Sequence, residues 1–305
     1  MKDILLRMCP NYLHRFYSDL KFWMMFHLAR KCLVSEMFQG LMTYDINWDN
    51  PQDLNEKINW MKLYYDTSLW TPLADKYLVR NYVSKRIGEQ HLPKIYGTWQ
   101  KAENIDFAKL PDKFVLKTNH GAGMEILVSD KNSIDKQQIC KTLDNWLKIR
   151  YGYHTIEPHY LGIKPLIFAE EYFESNVNYS SSLVDYKVFC LSGKAYCILV
   201  CTDREIGGGT KLSFYDCNWH PIENILAGPH KDDIVPVIPK PNCLSQLIEY
   251  AEILAQGHPQ VRVDFYIVDD KIYFGEMTFT SQGGYMNYIS RDYSLRMGNL
   301  VDLNL

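Results

Sequence analysis

Residues 261 to 280 read VRVDFYIVDDKIYFGEMTFT, and Val263, Phe265 and Ile267 alternate there with Arg262, Asp264 and Tyr266. A period of two predicts a strand with one core face. Asp269-Asp270 marks a turn, and a second strand follows. A three-residue loop ending at Lys271 pairs Val268 with Ile272, sets Asp264 opposite Glu276, and sends Tyr273, Gly275 and Met277 to the core face. A two-residue loop puts the two acids on opposite faces, so the first register is the expectation. Elsewhere, Leu54, Ile58 and Met61 in NPQDLNEKINWMKLYY recur at helical spacing. The stretch TPLADKYLVRNYVSKRIG predicts one helix capped by Thr71, with Pro72 in its first turn and Gly88 at its end. SIDKQQICKTLDNWLKIR places Ile139, Leu143 and Trp146 on one side of a helix, and LSQLIEYAEILAQ is an amphipathic helix stopped by Gly257 and Pro259. Strand-like runs occupy LPKIYGTW, KFVLKTNHGAGMEILVSD, PLIFAEEYF and VDYKVFCLSGKAYCILVCTD. This mixture predicts an α+β fold rather than a regular parallel sheet.

Composition narrows the function classes. The chain has 305 residues, 47% of them hydrophobic, which is enough for a real core. Its net charge of −3 and the lack of a zinc-finger or RNP-type motif argue against nucleic acid as a partner. The 8 cysteines show no Cys-x-x-Cys spacing, and Cys190, Cys197 and Cys201 lie in apolar runs, so buried thiols in a reducing, cytoplasmic compartment are expected. His154 and His159 are the nearest approach to clustered metal ligands, but Pro158 separates them and no third partner follows. No apolar run is long enough to span a bilayer, and no signal peptide is evident. Residues 1–35 nevertheless carry six Lys/Arg against Asp3 and Asp19, interleaved with Leu13, Phe16, Trp23 and Phe26. Such an arm either lies in a membrane interface, here the inner face of a plasma membrane, or packs on its own domain.

The opposed Asp264 and Glu276 form a destabilising like-charge pair unless a cation intervenes. A magnesium ion, which takes one or two carboxylates and leaves the rest to water and phosphates, is the economical candidate. A solvated hairpin, or neutralisation by Arg262, is the plainer alternative. Gly121-Ala122-Gly123 lies between two strands, whereas a Walker or Rossmann loop feeds a helix. A glycine turn of this kind is either a simple hairpin turn or a flap whose amides approach phosphates, with Lys117 on the incoming strand as a point charge.

Taken in order, LNEKINWMKLYY, DKFVLKTNHGAG, IFAEEYF, DYKVFCLSGKAY and VRVDFYIVDDKIYFGEMTFT resemble the ATP-grasp superfamily. Within it the chain resembles the TupA-like ATP-grasp proteins linked to bacterial cell-surface polymer synthesis, over roughly residues 50 to 300. The resemblance implies an ATP-grasp fold of two α+β subdomains gripping a nucleotide. It divides the chain into a basic helical arm (1–40), a helical segment ahead of the grasp (41–98), a lid with the glycine flap (99–170) and a C-terminal subdomain with the metal-binding hairpin (171–305). It implies ATP and Mg2+ as cofactors, with Lys117 on the nucleotide phosphates, Lys76 as an earlier lysine on the nucleotide side, and Gly121 and Gly123 in the flap. Glu170, Glu171 and Phe173 fall at the hinge, where backbone groups of Glu171 and Phe173 would meet adenine. Asp185 and Lys187 match an Asp-x-Arg/Lys strand near the nucleotide, and Asp264 and Glu276 match the metal ligands. Superfamily members often carry Asn two residues after that glutamate; here Thr278 stands there, a weaker neutral ligand that puts a second magnesium ion in doubt.

The resemblance further implies activation of a carboxylate as an acylphosphate and attack by an amine, joining an amino acid or peptide to a uronic-acid-containing surface polymer or its precursor. Arg262 and Arg204 then stabilise the acylphosphate or grip the carboxylate. A kinase or glycosyltransferase of the same polymer pathway is a rival, although no Asp-x-Asp occurs, and a non-catalytic membrane-surface assembly component is a third reading. If the arm holds the protein on lipid, deleting residues 1–35 is expected to release it from anionic vesicles in a sedimentation assay; unchanged binding excludes that role.

Overall fold

The computed structural model describes residues 29–175, 177–204, 209–233 and 235–305. The first helix among the described residues is α1 (Arg30–Met42), whose Val34, Phe38 and Met42 pack with Ile156 and Tyr285. The downstream part of the basic arm therefore packs on its own domain, while residues 1–28 lie outside the described residues. Trimming at residue 28 rather than 35 leaves α1 whole.

Helix α2 (Leu54–Tyr64) begins with a capping box, in which the Asp53 side chain accepts from the Glu56 N–H and the Glu56 side chain accepts from the Asp53 N–H. Its Leu54, Ile58 and Met61 are buried, as their spacing predicts. The helix expected over 71–88 is broken into α3 (Thr71–Ala74) and α4 (Val79–Ile87). Asp75 breaks it by accepting the N–H groups of Tyr77 at 2.9 Å and Leu78 at 3.0 Å. Thr71 is not a cap; its hydroxyl donates to the His159 carbonyl at 2.9 Å. The break turns Lys76 out of the helical row.

Strands β1 (Ile95–Trp99), β2 (Phe114–Thr118), β3 (Glu125–Val128) and β4 (Ile167–Glu170) form an antiparallel sheet in the order β1-β4-β2-β3. Its β1 opens at Ile95, ahead of the boundary expected at 99. Helix α5 (Lys136–Trp146), capped by Asp135, covers one face with Ile139 and Leu143. Short helices α6 (Tyr151–His154) and α7 (Pro158–Leu161) lead back to β4.

The second sheet is also antiparallel, in the order β7-β6-β5-β8-β9. It comprises β5 (Asp185–Leu191), β6 (Lys194–Thr202), β7 (Lys211–Asp216), β8 (Gln260–Val268) and β9 (Lys271–Thr278). Helix α8 (Leu244–Ala255) lays Leu247, Ala251 and Leu254 on its back, against Val263 and Phe265. Helix α9 (Arg291–Asn299) packs beside α2. Neither β7 nor α9 was expected from the sequence pattern.

The hairpin register needs correction. Asp269 and Asp270 form a two-residue turn with φ of 50° and 60°, and Val268 pairs with Lys271. A β-bulge then inserts one residue: Phe265 pairs with Phe274, but Asp264 pairs with Glu276. The extra residue is Gly275, where a Cβ would lie 3.0 Å from the Asp264 carbonyl oxygen. The acids are thus opposed as expected, by bulge and not by loop length. The core-facing residues of β9 are Ile272, Phe274 and Met277, so Tyr273 and Gly275 are not on that face.

Cys190, Cys197 and Cys201 are buried free thiols. Among the described residues no helix is long and apolar enough to cross a membrane. Asp53 also accepts from the Tyr44 hydroxyl at 2.6 Å, so Asp53→Ala is expected to cost about 2 kcal/mol, read as a lower urea midpoint at unchanged slope.

Candidate functional site

The period of two along β8 buries Val261, Val263 and Phe265 under α8 and turns Arg262, Asp264 and Tyr266 to the opposite face. That face closes a cleft of about 560 Å³ whose other wall includes Lys117, Phe168 and Glu170 of the four-stranded sheet. Lys187, Asp264 and Glu276 are direct cross-strand neighbours on β5, β8 and β9. Lys187 Nζ lies 2.5 Å from Asp264 Oδ2, and Asp185 Oδ1 is 3.5 Å from the same ammonium. The Arg262 guanidinium holds Asp264 in two bonds, Nε to Oδ1 at 2.7 Å and Nη2 to Oδ2 at 2.8 Å, and reaches Glu276 Oε1 at 3.2 Å. Thr278 completes the row, accepting from Arg262 Nη2 at 3.2 Å and donating to Glu276 Oε1 at 3.1 Å.

Lys76 pairs with the other oxygen of Glu276. Its turn is fixed on both sides: Asp75 Oδ2 accepts from Asn119 Nδ2 at 2.8 Å, and the Lys76 N–H donates to the Asn119 carbonyl at 3.1 Å. Asn119 opens the glycine loop, so one side chain ties Lys76 to the flap. Within that loop Gly123 has φ +68°, and a Cβ on Gly121 would lie 2.7 Å from the Tyr151 ring. Lys117 Nζ pairs with Glu170 at 2.5 Å and approaches Glu125 at 3.9 Å. Arg204 Nη2 pairs with Asp185 Oδ2 at 2.6 Å.

The cleft continues past Lys117, Glu170, Asp185 and Arg204 into a more apolar pocket of about 330 Å³, whose walls include Val115, Leu127, Phe173 and Leu183. Glu171 and Phe173 line it, and Phe173 packs on Tyr273 with ring centroids 4.4 Å apart. The Glu171 N–H already donates to the Lys94 carbonyl at 2.9 Å. The Glu171 N–H, one of the backbone groups expected to meet adenine, is thus already engaged.

Electrostatics in the cleft are closed on themselves. Lys76, Lys117, Lys187, Arg204 and Arg262 face Glu125, Glu170, Asp185, Asp264 and Glu276, so the formal charges balance. Burial alone would raise the Glu276 carboxyl, but Lys76, Arg262 and Lys187 hold it well below the usual carboxylate range. Burial alone would lower Lys117, Lys187 and Arg262, yet all three are raised by the carboxylates beside them.

Among the described residues no group of three or more His, Cys, Asp and Glu could cage a metal. The donors present are two carboxylates and a hydroxyl on adjacent strands, facing an open cleft with lysines around it. That set fits magnesium, whose remaining positions go to water and phosphate, and it does not fit a structural zinc site. His159 in particular is buried beside Trp70 and Phe279, and burial pushes it down to about 3. Sequence reasoning did not single out Asp75, Asn119, Tyr266 or Gln282 as site residues; the period of two along β8 already put Tyr266 on the face of Arg262 and Asp264, while nothing in the linear pattern pointed to the others.

Two antiparallel sheets closing on a charged cleft, with an apolar pocket at the hinge between them, define an ATP-grasp protein. The model for the TupA-like ATPgrasp family matches residues 56–302, and the chain belongs to that family. Among curated proteins none is similar in sequence. Among solved structures, D-alanine--D-alanine ligase from Bacillus anthracis is similar at 16% identity and a TM-score of 0.39, covering 74% of this chain and 58% of that one. The L-amino acid ligase from Bacillus licheniformis is similar at 10% identity and a TM-score of 0.46, covering 75% of this chain and 49% of that one. The chain thus spans about half to three fifths of the length of these ligases.

Because Glu276 titrates lower when folded than the unfolded value of about 4.3, its stabilisation is present above that pH and drains as pH falls below it. Glu276→Gln is expected to lower the melting temperature clearly at pH 7, with the gap to the native protein narrowing by pH 3.

Proposed function

We propose that this chain is an ATP-dependent carboxylate–amine ligase acting through an acylphosphate. The observation that carries the reading is the row of Lys187, Asp264 and Glu276 across three strands, with Arg262 bridging the two acids, at the floor of a cleft that runs into an apolar pocket. Phosphoryl transfer needs positioning and charge neutralisation more than a protein nucleophile, and this floor offers both. Asp264, Glu276 and the Thr278 hydroxyl would hold magnesium. ATP bound there would supply the transferable phosphoryl group, and the ion would neutralise its charge.

The chain's own groups do the rest. Lys117, with the flap at Gly121 and Gly123 beside it, holds the phosphates, and Lys76, tied to the flap through Asn119, adds a second cation on the nucleotide side. Glu171 and Phe173 position the base at the hinge, and Glu170 and Asp185 keep Lys117 and Arg204 aimed at the cleft until phosphate takes their place. Arg262, already on both metal-side acids, is placed to stabilise charge on the acylphosphate, and Lys187 and Arg204 to grip the carboxylate. The substrates are assigned by family likeness: the carboxylate of a uronic-acid-containing surface polysaccharide or its precursor, joined to the amine of an amino acid or peptide. Residues 1–28 would bring the enzyme to the membrane surface where such polymers are built.

The test is a thermal melt with and without ATP and magnesium, followed by product analysis. Ligand at about a hundredfold over Kd adds about 2.7 kcal/mol of stability, and the native protein is expected to show this shift only with magnesium. Lys117→Ala and Asp264→Asn are expected to lose it. With uronate and amino acid present, ADP and free phosphate should accumulate in equal amounts. No shift in the native protein overturns the nucleotide site, and a phosphorylated acceptor in place of free phosphate makes the enzyme a kinase.

A further inference from the structure

The cleft has two ends. One shares Lys117, Glu170, Asp185 and Arg204 with the hinge pocket. At the other, Gly209, Thr210 and His230 belong both to the cleft and to an open groove of about 620 Å³, lined further by Ser181, Asp203, Lys211 and Asp233. A nucleotide seated at the hinge fills the first end. A co-substrate therefore reaches Asp264 and Glu276 through the second, whose hydroxyls and charged groups suit a polar, hydrated molecule.

His230 stands at the junction, on a turn that is anchored to the cleft wall. The turn Gly228–His230 begins at a glycine with φ +54°, where a Cβ would lie 2.7 Å from the Asn287 carbonyl oxygen. The Ala227 N–H donates to the Tyr288 carbonyl at 2.9 Å, and Leu226 bridges to Ile289. The imidazole stands edge-on to the Tyr288 ring at 6.4 Å and 84°, and Tyr288 lines the cleft beside Arg262. His230 Nδ1 lies 2.6 Å from Asp233 Oδ2. Nε2 makes no hydrogen bond among the described residues. An imidazole that lines a cleft and is oriented by a carboxylate, with its second nitrogen bonded to none of the described residues, is the arrangement of a general base.

We propose that His230 Nε2 takes the proton released by the attacking amine, that Asp233 orients the ring, and that the groove admits the amine-bearing acceptor. This rests on the ligase reading. The neutral amine nitrogen donates its lone pair to the acyl carbon and forms the C–N bond. The bond from that carbon to the phosphate oxygen breaks, phosphate leaves with the electron pair, and the surplus proton on nitrogen passes to Nε2. The imidazolium pairs with Asp233 and returns its proton to water. Besides Asp233, the ring meets Tyr288; the nearest charged groups among the linings are Arg262 and Asp264 in the cleft and Asp203 with Lys211 in the groove, the last two paired at 2.8 Å and so neutral together.

The test compares the full-length native chain with His230→Ala, His230→Gln and Asp233→Asn, each given ATP, magnesium and a pool of D-glucuronate and D-galacturonate. One set receives hydroxylamine, which is unprotonated at neutral pH and weakly basic; the other receives glycine, L-alanine and L-lysine. The expected result is a ratio of amide to hydroxamate that falls about 100-fold at pH 7 in both His230 variants, less in Asp233→Asn, and recovers toward pH 9. An unchanged ratio, whether both products fall together or neither falls, overturns the assignment and leaves the ligase reading standing. No hydroxamate and no ADP release from the native chain overturns the ligase reading, and this role with it.

Discussion

The bond on which the cleft depends is the double contact of Arg262 with Asp264, extended to Glu276. Two carboxylates directly opposed on neighbouring strands repel each other, and Asp264 is only 2% exposed. Buried charges of this kind are tolerated when each is paired, and removing one partner of such a set costs several times what an exposed pair is worth. Arg262 resolves the repulsion from within the same strand, because residues two apart on a strand share a face. Lys187 and Lys76 then close the row at its two ends.

This closure has a functional consequence. Every cation that would grip a phosphate is already held by a carboxylate, and every carboxylate that would hold a metal is already held by a cation. On the proposed reading, entry of a nucleotide with its metal would be an exchange of partners: phosphate oxygens would replace carboxylates on the lysines, and the metal would replace lysines on the carboxylates. No charge has to be stranded in a low-dielectric cleft during the exchange, which keeps its cost far below that of exposing a bare buried charge.

Much of this was legible in the chain. The alternation along β8 and the chemistry of Asp264 and Glu276 placed both acids on one face, and the family likeness gathered Lys76, Lys117, Lys187 and Arg204 around them. The register was reached by the wrong route, because a bulge at Gly275 has the same effect on facing as an added loop residue, and only the glycine hints at it. Strand β7 was invisible because Leu212, Ser213, Phe214 and Tyr215 are all buried, so burial there has no period of two to read. Helix α9 buries Ser294, Met297 and Gly298, a face too poor in apolar residues to announce itself. His230 lies in an irregular stretch rich in proline and charge, where position comes from contacts to residues 287–289 and from nothing local.

The motif around α2 shows how far from the cleft a family likeness can have its physical cause. Lys62 is 1% exposed, and its ammonium donates to Asn59 Oδ1 at 2.8 Å and to the Gly283 carbonyl at 2.6 Å, beneath the Tyr285 ring. Burial lowers it to about 7, with Glu157 opposing that shift. Asn59 holds the Gly284 carbonyl at 2.7 Å, and Thr280 donates to Glu157. These bonds fix both ends of a loop in which Gln282, a non-glycine residue, sits at φ +45°, a conformation costing about 1 kcal/mol or more that persists only where its surroundings impose it. Ser281 meets Arg262 Nη1 at 3.4 Å, and Gln282 lines the cleft. Lys62 and Asn59 of α2 are therefore linked to the floor of the cleft through the loop they hold, which meets Arg262 at Ser281.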